Sequence, residues 1–381
     1  MGPKRDGRSC KRPRTSEQPI LRRRPATATA AHGDGPALGH VTFADVAREK
    51  VPHLYDVVRY GLDVTDVRIA IPTFGRPDTL CNATLPLLRR HGFPMEQVHI
   101  FISPRQAADS QDPEWFRYLT ALRREGYDTV HLEVGRDGLE NQMHSIFTWA
   151  GSGYLIVMTD DVRDVLVRKV PPGADARLEP LPLGMLRALF LHGRDLLVAT
   201  DCFAWSLSAS RNLRSMDESK IPRRFGLLEG NLTGFRLEGN PESWRVEANM
   251  GVIYDVALSC KLWSTGRRFL RYRSMCLDHR YRAEGGYRST MDLNARRLQE
   301  DEAIKKLEGR HGDLVRFQAR PESGAGRMNF QMLAQGPGPL VLKAPAPITA
   351  GRRYEGFAHR PMSASERQRR HRHGKRAFDA P

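Results

Sequence analysis

The stretch between residues 66 and 161 constrains the fold most, because short β-branched runs alternate there with helix-length amphipathic segments. Residues 66–71 (D-V-R-I-A-I) read as a first strand stopped by Pro72, and a helical pattern follows over residues 77–90. Residues 98–103 (V-H-I-F-I-S) predict a second strand, and residues 113–125 an amphipathic helix. A third strand is expected over residues 129–134, then a turn at Arg136-Asp137-Gly138 and a helix up to Trp149. The fourth, residues 154–158 (Y-L-I-V-M), is wholly apolar and ends on Thr159-Asp160-Asp161. Such alternation implies βαβ units and a parallel sheet covered on both faces, an α/β fold. Later residues mix helices with short strands, among them residues 196–199 and 314–318.

Charge divides the chain further. The formal net charge is +16, yet residues 1–30 hold nine Lys/Arg against two acids and residues 351–381 hold nine against three. Residues 1–40 hold almost no large apolar side chains and are expected to be disordered. Lys11-Arg12-Pro13-Arg14 and Arg22-Arg23-Arg24 read as a nuclear-import signal, which implies an import receptor as partner and the nucleus as location. A generic basic arm is the plainer alternative. The C-terminal part, residues 336–381, is Pro/Gly-rich and then basic, leaving one domain over residues 41–335. Its nucleotide half is expected over 41–165 and its acceptor half over 166–335. The most apolar stretch, residues 181–200, is broken by Arg187, His192, Arg194 and Asp195, so no membrane partner is expected. No apolar run follows the N-terminal charges as in a signal peptide. Five scattered cysteines without a CxxC pair suit a reducing compartment.

In parallel α/β sheets ligands bind at the carboxyl ends of the strands. Those ends carry Thr73 and Arg76, then Arg136 and Asp137, then Asp160 and Asp161. Neither GxGxxG nor GxxxxGK[ST] occurs, so a dinucleotide fold and a P-loop gain no support. Two adjacent carboxylates repel unless a cation lies between them. A divalent metal bridging a diphosphate would serve and would neutralise a departing nucleotide. The alternative is that the two acids cap a following helix or sit in a solvated loop. Arg76, Arg136 and Asp137 lie where a nucleotide would bind, although a structural salt bridge explains any one of them equally well. His279 and His311 are further candidate ligands.

A third basic stretch, residues 261–297, holds ten Lys/Arg against three acids. There Arg267, Arg268, Arg271, Arg273, Arg282 and Arg288 interleave with Trp263, Phe269, Tyr272, Tyr281 and Tyr287. Basic groups match phosphates and rings can stack on bases, so these residues are candidates for DNA contact. The rings could instead be core and the arginines a solvated face.

The segment Ile69-Ala-Ile-Pro-Thr73-Phe-Gly-Arg76, the turn Gly138-Leu-Glu-Asn141 and the strand-end Thr159-Asp160-Asp161 together resemble a GT-A-fold glycosyltransferase, a Rossmann-like αβα sandwich. That resemblance implies donor contacts from Thr73, Asn141 and Asp160, and a divalent cation (Mn2+ or Mg2+) on Asp161 with Asp160 touching metal or ribose. Thr159 replaces the first acid of the family's Asp-X-Asp. The family's Glu-Asp pair at a helix start is matched by Glu300-Asp301, which implies Asp301 as the base, chosen over Glu300 by motif position; an ordinary acidic first turn complementing a helix dipole is the alternative. Residues 66–320, through Ile71-Pro-Thr-Phe-Gly-Arg-Pro77, Tyr154-Leu-Ile-Val-Met-Thr-Asp-Asp-Val162 and Gly285-Gly286-Tyr287-Arg288, resemble the TET/JBP-associated glycosyltransferases linked to base J. That implies UDP-glucose as donor and 5-hydroxymethyluracil in DNA as acceptor. A same-fold enzyme with a protein or glycan acceptor, and an inactive DNA-binding relative, are the alternatives.

Overall fold

The computed structural model describes residues 54, 62–104, 114–170, 173–216, 221, 225–279, 286, 292–318 and 329–332. All of these fall in one compact unit spanning Thr42–Pro381. Both basic tails, with the expected import signal and disorder, lie outside the described residues, as do Arg282 and Arg288.

Strands β1 (Arg68–Pro72), β2 (Val98–Ile102), β3 (His131–Val134) and β4 (Ser152–Met158) form the four expected strands. They pair in parallel in the order β3-β2-β1-β4. The helix expected over 77–90 is two, α1 (Pro77–Asn82) and α2 (Thr84–Arg90), with the break at Ala83. Helix α3 (Glu114–Arg124) precedes β3, and α4 (Leu139–Ala150) precedes β4.

Beyond β4 the sheet turns mixed. It continues through β8 (Leu232–Glu238), β7 (Ala204–Ser208), β9 (Phe269–His279), β5 (Val162–Lys169) and β6 (Arg177–Pro180). β8 runs antiparallel to β4 and to β7, and β9 runs parallel to β7. By composition of these directions β9 runs parallel to β4. The purely parallel sheet expected from alternation therefore holds only for the first four strands. Residues 196–199, expected as a strand, are the last turn of helix α5 (Met185–Ala199). A four-residue apolar run carries no periodicity that separates strand from helix, and here Leu196 and Leu197 extend a helix buried along most of its length. Helix α6 (Tyr254–Ser264) leads into β9, and α7 (Leu293–His311) leads into β10 (Val315–Gln318), which pairs with β11 (Asn329–Met332).

Side chains alternate across the sheet with the strand's period of two and feed two cores. Ile69, Ile71, Tyr154, Ile156 and Met158 pack on one face with Leu80, Tyr118 and Phe190. Ala70, Leu155 and Val157 pack on the other with Phe147, Leu258 and Leu307. This layering brings the carboxyl ends of β1 to β4 to one edge, where the chemistry-bearing residues collect. Among the described residues no helix is long and apolar enough to cross a membrane.

Candidate functional site

The end of β4 and the loop after β1 meet in one hydrogen-bonded cluster. Asp160 is fully buried, and its carboxylate accepts from the Thr73 hydroxyl at 2.5 Å and from Arg76 Nε at 3.0 Å. Arg76 Nη2 lies 2.6 Å from the other Asp160 oxygen, and Arg76 Nη1 lies 3.7 Å from Asp161. With its own proton committed to Asp160, Thr73 can only accept from the Tyr118 hydroxyl at 2.7 Å. Tyr118 in turn accepts from the Arg76 backbone N–H at 3.1 Å. Burial pushes the Asp160 carboxyl up to about 6, against the opposing pull of Arg76 and Thr73.

The cation that the two carboxylates demand is thus the Arg76 guanidinium. Of the two expectations for Arg76, nucleotide contact or a structural salt bridge, the structure shows the salt bridge, which holds the strand-end acids together. Gly286 lies against it: a Cβ there would sit 3.0 Å from Arg76 Cζ, the residue has φ of 74°, and its N–H donates to Phe74 O at 2.8 Å. The acids cap no helix, because β5 begins at Val162 directly after them.

Asp160 and Asp161 differ as ligands. Both Asp160 oxygens are engaged inside the protein, so the expected metal or ribose contact from this residue is not what its geometry offers. Asp161 is 8% exposed, accepts from the Thr159 hydroxyl at 2.9 Å on one oxygen and meets Arg76 only distantly on the other. Thr159, which stands in place of an acid, thereby positions Asp161. Among the described residues no three His, Cys, Asp or Glu side chains gather to hold a metal unaided. Asp161 suits a hard oxygen-seeking cation only if a ligand's phosphates and water complete the shell. His279 lies opposite Val162 in the β5–β9 ladder; burial lowers its pKa, and the nearby Asp161 charge opposes this. His311 stands at the far end of α7.

The second expected donor loop is a turn closed by its own hydrogen bonds. Ser103 donates to Asp137, Asn141 Nδ2 donates to Asp137 O at 2.9 Å, and Gln142 Oε1 accepts from the Arg136 N–H at 2.7 Å. Arg136 is exposed beside it. Asn141 therefore shapes the loop from α4, as a residue of that helix's first turn.

Two carboxylates that the sequence did not single out adjoin the Asp161 end. Because β8 is antiparallel to β4, with Leu232 opposite Met158, residues 229–231 lie beside residues 159–161. The Thr159 N–H donates to Asn231 O at 3.0 Å, and Asn231 Nδ2 donates to Glu229. Gly230 passes so close to Asp255 that a Cβ there would stand 2.1 Å from its Oδ1. Leu228 N–H donates to Ser259 Oγ at 2.9 Å, and that hydroxyl donates to Asp255 O at 2.6 Å, tying α6 to the same loop. Glu229 and Asp255 are each half-buried. Burial first, then the Asp255 charge, pushes Glu229 up to about 7, while burial raises Asp255 to about 6 against the Gly230 N–H. A carboxylate pair that keeps one proton near neutral pH is equipped for general acid–base work.

The remaining candidates lie on α7 and in and around β9. Asp301 is exposed and Glu300 half-buried on α7, whose Ala303 and Leu307 pack into the core. Phe269 and Tyr272 are core residues, so they cannot stack on a base. Arg267 lies over the Phe203 and Trp244 rings, and Arg268 over Trp263 at 4.1 Å. Arg273 donates to Ser215 O at 2.6 Å, and Arg271 packs on Gly226. Since β9 runs parallel to β4, its start is at the opposite edge of the sheet from Asp161. Eleven strand residues separate Arg268 from that edge by about 30 Å. Charge and rings coincide here because an amphipathic strand packs its aromatics inward.

No protein-family model matches the sequence, and no curated protein matches it. Among solved structures the chain is similar to the mannosyltransferase PcManGT from Pyrobaculum calidifontis in complex with GDP-Man and Mn2+, at 14% identity over 67% of this chain and 70% of that one, TM-score 0.40. It is similar to S. aureus TarS in complex with UDP-GlcNAc, at 8% identity over 64% and 66%, TM-score 0.37. Glucosyl-3-phosphoglycerate synthase from Mycobacterium tuberculosis, solved with Mn2+, UDP and phosphoglyceric acid, is similar at 11% identity over 70% and 86%, TM-score 0.38. The likeness is one of fold: a mixed α/β domain similar to several GT-A-fold nucleotide-sugar transferases.

Proposed function

We propose that this protein transfers a sugar from a nucleoside-diphosphate sugar to a hydroxyl acceptor at the carboxyl edge of β1–β4. The observation that carries the reading is the continuous network Arg76–Asp160–Thr73 and Thr159–Asp161, joined through Asn231 to Glu229 and Asp255. It sets an anchored carboxylate for the donor side within reach of a proton-accepting pair for the acceptor side.

In the reaction the acceptor oxygen attacks the anomeric carbon, the bond from that carbon to the phosphate oxygen breaks, and the nucleoside diphosphate leaves. The acceptor proton passes to the Glu229–Asp255 pair, whose raised pKa values suit it to receive one near neutral pH. This moves the base from Asp301, the residue implied by family resemblance, to a pair that the strand-end network already reaches. A bound divalent cation supplies neutralisation of charge on the leaving diphosphate, and Asp161 is the residue that would hold it. Arg76 holds Asp160 and Asp161 side by side through its guanidinium. Residues 135–141 offer a preformed loop to the nucleotide.

The finer reading is that the donor is UDP-glucose and the acceptor is 5-hydroxymethyluracil in DNA, giving base J in a nuclear setting. Its support is the sequence resemblance to the TET/JBP-associated glycosyltransferases and the strong positive charge of both tails. The donor half is tested by calorimetric titration with UDP and GDP for wild type and Asp161→Asn. Tight UDP binding in Mn2+ that Asp161→Asn loses supports it. Absence of binding by either nucleotide to folded protein overturns it.

A further inference from the structure

The turn that carries Asp160 and Asp161 is closed from a distant part of the chain. Thr159 O and the Val162 N–H are the two backbone groups that a β-turn over Asp160 and Asp161 brings together. The Thr84 hydroxyl bonds to both: it donates to Thr159 O at 2.7 Å and accepts from the Val162 N–H at 3.0 Å. Thr84 is fully buried, and buried backbone groups cost free energy when left unpaired. Local sequence explains why a threonine at the start of a helix meets a strand end. Pro86 has no N–H for Asn82 O, and in a continuous helix its ring would collide with that carbonyl. The helix therefore stops at Asn82 and restarts at Thr84, with Ala83 between them at φ of −124° and ψ of −81°. That break brings the first residue of α2 onto the turn between β4 and β5.

The segment that supplies Thr84 also supplies Thr73 and Arg76. Residues 73–84 thus hold the acid pair twice, by its side chains and by its backbone. The two acids depend on this hold unequally. Asp160 is fixed through its own carboxylate by Thr73 and Arg76. Asp161 accepts from the Thr159 hydroxyl and meets Arg76 only at 3.7 Å. Both Asp161 and its partner Thr159 ride on the stretch of backbone that Thr84 closes.

We infer that Thr84 is a positioning residue for Asp161: its hydroxyl fixes the turn in the form that lets the Asp161 carboxylate take a divalent cation together with the donor's phosphates. The inference deepens the donor half of the proposed function and rests on it. Thr84 touches neither donor nor cation and acts only through the backbone on either side of the two acids. A hydroxyl is needed there because one atom must both donate to a carbonyl and accept from an N–H.

The experiment compares the full chain as wild type, Thr84→Ser, Thr84→Val and Leu88→Val. Serine keeps the hydroxyl, whereas valine keeps the shape and removes it. Leu88 is a fully buried core residue of α2, and its truncation controls for instability alone. Calorimetric titration with UDP, with and without Mn2+, gives the metal-dependent gain in affinity. Thr84→Val should lose about tenfold of that gain, the order of a buried hydrogen bond left unmade. Thr84→Ser and Leu88→Val should keep it. Amide exchange at Val162, followed by NMR without metal or nucleotide, should quicken in Thr84→Val and not in Thr84→Ser. A Thr84→Val protein that retains the gain overturns the inference, as does equal loss in Leu88→Val or in Thr84→Ser. If Thr84→Val does not fold, Thr84→Cys, a weaker donor and acceptor, takes its place with the same readings. If the wild type binds no UDP in Mn2+, the donor reading falls and exchange alone decides whether Thr84 closes the turn: unchanged exchange at Val162 overturns that too.

Discussion

Glu229→Gln tests whether two carboxylates are held against each other beside the strand-end acids. Glu229 is raised from 4.5 to about 7, chiefly by burial and then by the Asp255 charge. The sign follows from linkage: a carboxyl whose folded pKa is raised carries no penalty below its unfolded value, where both states are protonated. The penalty grows as pH climbs and is complete above the folded value. At about 1.36 kcal/mol for each tenfold change in proton affinity, raising the carboxyl to about 7 sets a ceiling near 3 kcal/mol, or about 2 kcal/mol after allowance for partial solvent exposure. Gln keeps the oxygen that accepts from Asn231 and removes the charge. The variant should therefore match wild type in urea unfolding at pH 4.5 and exceed it by about 2 kcal/mol at pH 8. Its transfer activity should collapse. Glu302→Gln, at an exposed position on α7, serves as control and should do nothing at either pH. An equal effect at both pH values, or loss of stability at pH 8, would refute the placement of Glu229 against Asp255.

Other consequences are equally direct. Arg76→Ala leaves the fully buried Asp160 without its counter-ion and should cost about 3–5 kcal/mol, read by thermal or urea unfolding; a neutral result would mean that Asp160 is not held as an anion. Asp161→Asn should abolish Mn2+-dependent UDP binding in calorimetry while leaving the melting temperature nearly unchanged. Gly230→Ala drives a methyl into Asp255 and should depress both stability and transfer, whereas Gly226→Ala meets the flexible end of Arg271 and should be milder. Asp301→Asn should retain transfer within a few-fold; loss of activity in that variant together with survival in Asp255→Asn would restore Asp301 as the base.

Strands β1–β4 are legible in the sequence because they announce themselves through apolar runs bounded by turn residues, each within three residues of its observed limits. Their parallel order then puts Thr73, Arg76, Asp160 and Asp161 at one edge without further information. β5 was hidden because Thr159-Asp160-Asp161 is itself the turn, with no glycine or proline to mark a boundary before Val162. Glu229 and Asp255 lie in different segments, and only the insertion of β8 beside β4 unites them. The local signal was slight: a glycine between Glu229 and Asn231, required by the approach of a distant carboxylate. The arginines in and around β9 show a related limit. Sequence records that cations and rings alternate, but not which way the strand runs, and direction decides which edge Arg267 and Arg268 occupy. Arg76 shows that a cation at the carboxyl edge of a parallel sheet can serve the protein's own acids.

The central claim is tested most directly by following radiolabelled glucose from UDP-glucose into duplex DNA bearing 5-hydroxymethyluracil, with and without Mn2+, for wild type, Asp161→Asn and Asp255→Asn. Unmodified and 5-hydroxymethylcytosine DNA serve as controls. Label confined to hydroxymethyluracil DNA with wild type, and lost in both variants, is the expected result. Folded wild type that labels no DNA and releases no glucose from the donor would contradict the account.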